Sequence, residues 1–485
     1  MKNSSFTQDH DGVKIHNTLE NSIFDPSVVI LAAGQGTRLS TQQQGIPKPL
    51  QTLLGLSFAE RTLMTFAQMG LKKFVAVLGY AKEKVRTHFE EIADRRKLSI
   101  VFVEAENWSK GNGASLAAAS KVLKQKNFLL TMVDHVFKPE LVKRFLSQIK
   151  SMDTTDLGVC LGVDGKKENL FDLSDATKVY VNRNLVLKIG KDLSEWNTID
   201  TGLFYCTSEV FDALKEAQMD GCFSLSDGIR ILAKKERVRA VDLSGESWMD
   251  VDTPEAWKET RRRMLLSIGK NTSDGYISQY FNRKISKVFS EYFALTSITP
   301  NQITWLSFFL CILGSVLIAA GGPVNLLGRE GMILGALVVQ FASIIDGCDG
   351  EVSRLKFLQT QGGAWLDTVL DRYADVALAM AVTYSASTSS NPTFYWVLGT
   401  LSLSGFILTS YVKKEYEIRF SASIPDGVLN KLSRRDLRIF VISIGVIVGF
   451  AFEALCVVGI LSHICVAFIL YFGLKGPFIR DQSSI

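Results

Sequence analysis

Two regimes of apolar patterning divide this chain. Up to about residue 275, short apolar runs alternate with charged, helix-forming segments. VVILAA (28–33) and LLTMV (129–133) read as buried strands, each flowing into a turn that carries glycine or aspartate. After residue 303 the apolar stretches lengthen toward the roughly 20 residues needed to cross a bilayer. They lie at about 303–320, 332–345, 364–385, 394–412, 437–454 and 455–472, the second being short unless it begins near residue 324. The pattern predicts an α/β soluble half followed by an all-α six-helix transmembrane half.

Composition sharpens that picture. A chain of 485 residues exceeds one compact domain, so at least two are expected. Residues 1–25 are polar and lack the apolar core of a secretory signal, which predicts a flexible extension and a cytosolic first half. None of the seven cysteines forms a CxxC pair, so reduced structural thiols are expected. The net charge of +5 comes without a long basic run, and nucleic acid is not an expected partner. Lys413, Lys414, Arg434, Arg435 and Arg438 fall between apolar stretches on the side shared with residues 346–363, whereas the opposite loops carry only Arg329. Positive charge then marks the cytosolic face of a multi-pass protein of the cell membrane.

Carboxylates interrupt this membrane half. Asp346 and Asp349 stand three apart, and Asp367 and Asp371 four apart, so each pair shares one face of a helix and two facing pairs make a metal site. The ordered set Asp346-x-x-Asp349-Gly350-x-x-Ser353-Arg354, eight residues, then Gly363-x-x-x-Asp367-x-x-x-Asp371 resembles the signature of the CDP-alcohol phosphatidyltransferase family, with Ser353 in place of its alanine. The resemblance spans roughly residues 275–475 and includes TSITPNQIT (296–304), similar to that family's lead into its first membrane helix. It implies that Asp346, Asp349 and Asp367 hold Mg²⁺ or Mn²⁺. Asp371 completes this metal set and takes the proton of an acceptor hydroxyl. Gly350, Arg354 and Gly363 would then border the nucleotide.

The first half carries a second signature. VVILAAGQGTRLS (28–40) followed by GIPKPL (45–50) joins a strand, a glycine-rich turn and a basic pair, Arg38 and Lys48. This pattern resembles the nucleotidyltransferases that join an NTP to a sugar or polyol phosphate. The resemblance implies a Rossmann-like, mostly parallel sheet over 26–262 and a triphosphate cradle made by Leu31, Ala32, Ala33, Gly34, Gly36 and Thr37. Arg38 and Lys48 would offset charge during attack at the α-phosphorus. GNGASL (111–116) resembles the family's base and ribose loop, which assigns Gly113, Ala114 and Ser115 to the nucleotide. Asp134, and Asp252 in preference to Asp250, become metal ligands, Asp200 contacts the polyol, and His135 is a neighbour.

The two halves in one chain resemble the bifunctional inositol-1-phosphate cytidylyltransferase and di-myo-inositol-phosphate phosphate synthase family. That resemblance implies CTP, inositol 1-phosphate and CDP-inositol as substrates, Mg²⁺ at both centres, a lipid bilayer around the second half and a homodimer through it. Ser410, Lys413, Arg434 and Arg435 are the expected acceptor pocket, since arginine binds phosphate through paired hydrogen bonds. Residues 263–298 form the expected connector, with an interfacial amphipathic helix, and 299–485 the membrane domain. A lipid alcohol as acceptor, or a membrane-anchored binding protein, are the alternative readings. Gln42, Gln43 and Gln44, with modest charge, do not resemble hyperthermophile adaptation.

Overall fold

The computed structural model describes residues 25–475 apart from 40–44, 124–125, 154–155, 167–170, 172, 269–276, 278–280, 323–325, 388–390, 423 and 425–433. The expected N-terminal extension up to residue 24, Gln42 to Gln44 and much of 273–286 lie outside the described residues. The chain forms two compact units, Met1–Gln51 with Ser57–Ala256, and Thr52–Leu56 with Trp257–Ile485.

In chain order the strands are β1 (Ser27–Ala32), β2 (Thr52–Leu53), β3 (Leu56–Ser57), β4 (Lys73–Leu78), β5 (Ser99–Glu104), β6 (Phe128–Met132), β7 (His135–Phe137), β8 (Val159–Asp164), β9 (Lys178–Asn182), β10 (Leu185–Gly190), β11 (Thr198–Cys206), β12 (Val238–Asp242) and β13 (Trp248–Asp250). Nine of them make one sheet in the order β5-β4-β1-β6-β11-β8-β12-β10-β9. The strands β5, β4, β1 and β6 run parallel, but β11 is antiparallel to both β6 and β8. The sheet is therefore mixed, where the sequence reading had it mostly parallel. Local periodicity reports burial on each face of a strand and carries no information on the direction of its neighbour.

Burial explains why β1 is apolar from Val28 onward. Val28 to Ala32 are all buried, as expected of a central strand covered on both faces. Helix Phe58–Ala67 begins at Ser57, whose hydroxyl accepts the Glu60 N–H at 3.1 Å. The register pairs Leu31 with Val77 on β4 and with Met132 on β6, so all three strands end at one edge. The loops after β1 and β6 leave the sheet there, at the place where open α/β folds bind ligands.

In the second unit, helix Arg283–Leu295 precedes six longer elements: Pro300–Ala320, Gly328–Leu355, Gln361–Ala386, Pro392–Phe420, Arg435–Val448 and Ala451–Lys475. The segment 299–302 supplies its own start signal, with Thr299 and Gln302 forming a reciprocal capping box and Pro300 opening the helix. Four of the six, Pro300–Ala320, Gly328–Leu355, Pro392–Phe420 and Ala451–Lys475, are long and apolar enough to cross a membrane. The third carries several charges and the fifth has 14 residues.

The second helix runs through Asp346 and Asp349 to Leu355, beyond the apolar stretch that ends at residue 345 and in keeping with the shared helix face expected of that pair, because a helix that hydrogen-bonds its own backbone tolerates polar side chains that find partners. The break between the last two helices falls at Gly449, in the left-handed region at φ +99°, rather than near residue 454.

The first two of the six helices cross closely. A Cβ on Gly314 would lie 2.7 Å from the Gly335 carbonyl oxygen, and one on Gly335 would lie 2.6 Å from the Gly314 carbonyl oxygen. Small residues allow such backbone approach between membrane helices. Gly314→Val should destabilise the protein by about 1–3 kcal/mol, the usual cost of overpacking. Thermal unfolding in detergent checks this, and an unchanged midpoint would show that the crossing is slack.

Candidate active sites

In the first unit, the loop after β1 folds over Lys48. Gly36 has φ +68°, and a Cβ there would lie 2.7 Å from the Lys48 Cβ, so glycine is required for both conformation and space. Lys48 itself is 5% exposed, an unusual place for an ammonium group. Its Nζ donates to Asp134 Oδ2 at 2.6 Å and also to Asp252 Oδ1. Burial alone would lower its pKa, but the carboxylates of Asp134, Asp252 and Asp250 outweigh burial and raise it. Arg38 is more open and bridges Asp252 at 2.5 Å and Asp175 at 2.7 Å.

Behind Asp134 stands His135, on β7. Its Nδ1 lies 2.8 Å from Asp134 Oδ1 and 4.0 Å from Asp250 Oδ1. Burial lowers its pKa, yet Asp250 and Asp134 together hold it at about 9, so at neutral pH the ring is a cation. The ring stacks on Trp248 with centroids 6.4 Å apart. The ligand atoms of Asp134, His135 and Asp250 lie within 4.8 Å of one another, and the buried Asp250 Oδ1 accepts no hydrogen bond among the described residues. Hard carboxylate oxygens, one of them unsatisfied, fit a divalent cation. Asp200 sits at the bulge of β11, where its carboxylate accepts the Gly202 N–H at 2.7 Å. Burial pushes Asp200 up to about 6, against that hydrogen bond and the His135 charge.

The remaining first-unit candidates are placed by backbone. Leu31 and Ala32 end β1, Ala33 accepts the Tyr80 N–H at 3.0 Å, and Gly34 and Thr37 belong to the same loop. Gly113, Ala114 and Ser115 are buried in helix Asn112–Ala118, with the Ala114 N–H donating to the Phe223 carbonyl at 3.1 Å.

In the second unit, three of the four aspartates come together. Ligand atoms of Asp346, Asp367 and Asp371 lie within 4.8 Å of one another, an acidic cluster whose oxygen donors suit a divalent cation. Asp349 is held aside by its neighbours, accepting the Thr304 hydroxyl at 2.7 Å and the Gly350 N–H. The Ser307 hydroxyl donates to Asp346 at 3.2 Å. Arg435 spans the cluster, with Nη1 at 2.9 Å from Asp346 and 2.5 Å from Asp371. Ser410 accepts from Arg372 at 2.5 Å, and Arg434 is the N-cap residue of helix Arg435–Val448. Arg354 reaches the Ile268 carbonyl at 3.4 Å, Gly363 donates to the Thr360 hydroxyl at 3.0 Å, and Lys413 is half-buried on Pro392–Phe420.

Several residues at these sites escaped the sequence reading. Asp375 is buried and contacts Arg372, Arg435 and Arg438. Its signal was there, since it continues the i, i+4 ladder of Asp367 and Asp371. Glu351, fully buried, accepts from Arg283 at 2.6 Å, Ser286 at 3.0 Å and Ser290 at 2.5 Å, which ties helix Arg283–Leu295 to the helix carrying Asp346 and Asp349. Only the serine spacing could have pointed to it.

Gly202 has φ +77°, and any Cβ there would run into the His135 ring. Gly202→Ala should therefore cost about 1–3 kcal/mol for an alanine held at positive φ, and displace His135 from Trp248. Urea unfolding followed by tryptophan fluorescence tests both effects; wild-type stability would contradict the packing.

Two family models match the chain: the MobA-like NTP transferase domain over residues 28–218 and the CDP-alcohol phosphatidyltransferase over 297–471. The Bifunctional IPC transferase and DIPP synthase of Thermococcus kodakarensis is 32% identical, covering 92% of this chain and 97% of that protein. Its namesake from Rubrobacter xylanophilus is 33% identical, over 90% and 93%. Among solved structures, the inositol-1-phosphate CTP transferase from T. maritima has 23% identity and a TM-score of 0.43, covering 48% of this chain and 91% of that one. Each relative is matched over nine-tenths or more of both chains, and the chain belongs to the family of bifunctional IPC transferases and DIPP synthases.

Proposed function

We propose that this protein catalyses two consecutive reactions, one in each unit. In the first, a phosphate oxygen of inositol 1-phosphate attacks the α-phosphorus of CTP, the bond to the bridging oxygen breaks, and CDP-inositol and diphosphate form. In the second, a hydroxyl of another inositol 1-phosphate attacks the CDP-inositol phosphorus next to inositol, expelling CMP and giving di-myo-inositol phosphate phosphate. The observation that carries this reading is that one chain of this family holds two separate cation-bridged acid centres, Asp134 and Asp252 about Lys48, and Asp346 and Asp371 about Arg435.

Residues 26–262 perform the first step. Backbone N–H groups of the loop after β1 face the triphosphate, and Arg38 and Lys48 offset the charge that grows on its phosphates. Gly113, Ala114 and Ser115 border the nucleoside, and Asp200 orients the inositol hydroxyls. Asp134 and Asp252 hold Mg²⁺, with the unsatisfied Asp250 oxygen alongside.

Residues 299–485 perform the second. Asp346, Asp349 and Asp367 hold the ions, Gly350, Arg354 and Gly363 border the CDP moiety, and Asp371 accepts the attacking hydroxyl's proton. Bound Mg²⁺ or Mn²⁺ supplies charge neutralisation at the phosphate oxygens. Ser410, Lys413, Arg434 and Arg435 receive the acceptor. Helix Arg283–Leu295 buries Ser286 and Ser290 while Val288, Tyr292 and Leu295 stay exposed, which suits an apolar face lying in the membrane interface. The first unit faces the cytoplasm in this reading, and the membrane unit forms a homodimer.

Full-length protein incubated with radiolabelled inositol 1-phosphate, CTP and Mg²⁺ should yield a water-soluble phosphodiester. Label recovered in lipid after adding extracted lipids would favour a lipid acceptor instead. Lys48→Ala or Asp134→Asn should abolish CDP-inositol formation and leave transfer from supplied CDP-inositol intact. Asp371→Asn should lower that transfer by about 10² to 10⁴, the usual contribution of a positioned base, while CDP-inositol accumulates. Near-normal transfer by this variant would remove Asp371 from the base role.

A further inference from the structure

Asp375 lies one turn beyond Asp371 on helix Gln361–Ala386 and is 6% exposed. Its carboxylate accepts from Arg435 Nε at 3.3 Å and Arg438 Nη2 at 3.2 Å, and pairs with Arg372 Nη1 at 3.2 Å. Arg435 is shared with Asp346 and Asp371, but Arg438 has Asp375 as its one ion-pair partner among the described residues. Three guanidinium groups thus gather on one buried carboxylate.

Their hydrogen bonds are incomplete. Arg438 is 4% exposed, yet its Nε and Nη1 are shielded from solvent and have no hydrogen-bond partner among the described residues. Its guanidinium lies over the Phe406 ring, 4.6 Å from the centroid, which fixes the plane in which those donors point. Arg372 Nε and Arg434 Nε are also buried and have no hydrogen-bond partner among the described residues. Buried charged donors without acceptors are costly, so a group that supplies several acceptor oxygens and negative charge is missing from the account. A neutral hydroxyl offers neither in sufficient number. A phosphate monoester offers both, and arginine forks match its geometry.

We propose that Asp375 is a positioning residue that gathers Arg372, Arg435 and Arg438 into a cradle for the phosphate of the acceptor substrate. This rests on the reading that the second reaction takes a phosphorylated acceptor. Asp375 touches no reacting atom; it keeps three mutually repelling cations together and sets the rotamer of Arg435 beside the carboxylate cluster. Arg438, paired with Asp375 through Nη2, holds that carboxylate against Arg435.

The test uses full-length protein in detergent with supplied CDP-inositol, Mg²⁺ and varied inositol 1-phosphate. Asp375→Asn keeps the shape and removes the charge. The KM for inositol 1-phosphate should rise by about tenfold or more, with a smaller fall in kcat and a change of under about twofold in the Kd for CDP-inositol. Asp375→Glu should recover part of that affinity, which a general packing defect would not allow. An unchanged acceptor KM, or an equal loss of CDP-inositol affinity, would overturn the proposal. If Asp375→Asn does not fold, Arg438→Met, which keeps an apolar stem against Phe406, reads the same cradle. It too must raise the acceptor KM, and a wild-type KM would overturn the proposal. Wild-type protein that ignores inositol 1-phosphate but transfers to an unphosphorylated alcohol would instead refute the reading on which the cradle depends.

Discussion

Carboxylates packed against one another repel, and both centres of this protein are organised around that constraint. Two unit charges 4 Å apart interact by about 4 kcal/mol at the effective dielectric of a protein site, enough to scatter an uncompensated cluster. Each unit sets a buried cation between two aspartates from different elements. Lys48 joins Asp134 to Asp252, and Arg435 joins Asp346 to Asp371. The cation brings together the groups that must later act on phosphates, and a divalent ion can take over the same charge balance.

The choice of cation differs for a geometric reason. Lys48 presents a compact charge at the end of a flexible stem, which the Gly36 turn can cover closely. Arg435 has a flat fork that can touch Asp346, Asp371 and Asp375 at once, three carboxylates on two helices. A lysine there could not reach all three in one plane. The second centre is consequently a network, in which the orientation of one guanidinium depends on a carboxylate one turn away.

How much of this was legible in the sequence follows from which interactions are local. The strand-and-glycine turn around Ala33, the i, i+4 spacing of Asp367 and Asp371 and the capping box at Thr299 are local, and each could be read from a few neighbouring residues. The antiparallel setting of β11, the pairing of Lys48 with Asp252 across 204 positions and the grip of Asp375 on Arg438 across 63 positions are not. Asp375 was visible as a residue but had no partner in sequence. Arg438 looked like one more positive charge on the cytosolic side. The second helix outruns its apolar stretch because hydropathy falls at Asp346 while backbone hydrogen bonding continues to Leu355.

The close crossing of the first two membrane-unit helices connects packing to the acid centre. Gly314 and Gly335 let the backbones meet, and from that point the helices run on to Ser307 and Thr304 on one side and to Asp346 and Asp349 on the other. The two hydroxyls reach the two carboxylates at 3.2 Å and 2.7 Å, distances a shift of one bulky side chain at the crossing would spoil. Glu351 holds the opposite flank of the same segment to Ser286, Ser290 and Arg283. The helix bearing Asp346 and Asp349 is therefore pinned from two sides by short polar contacts. Asp346 meets Asp367 and Asp371 from a helix held on both flanks, while Asp349 stays with Thr304 and Gly350.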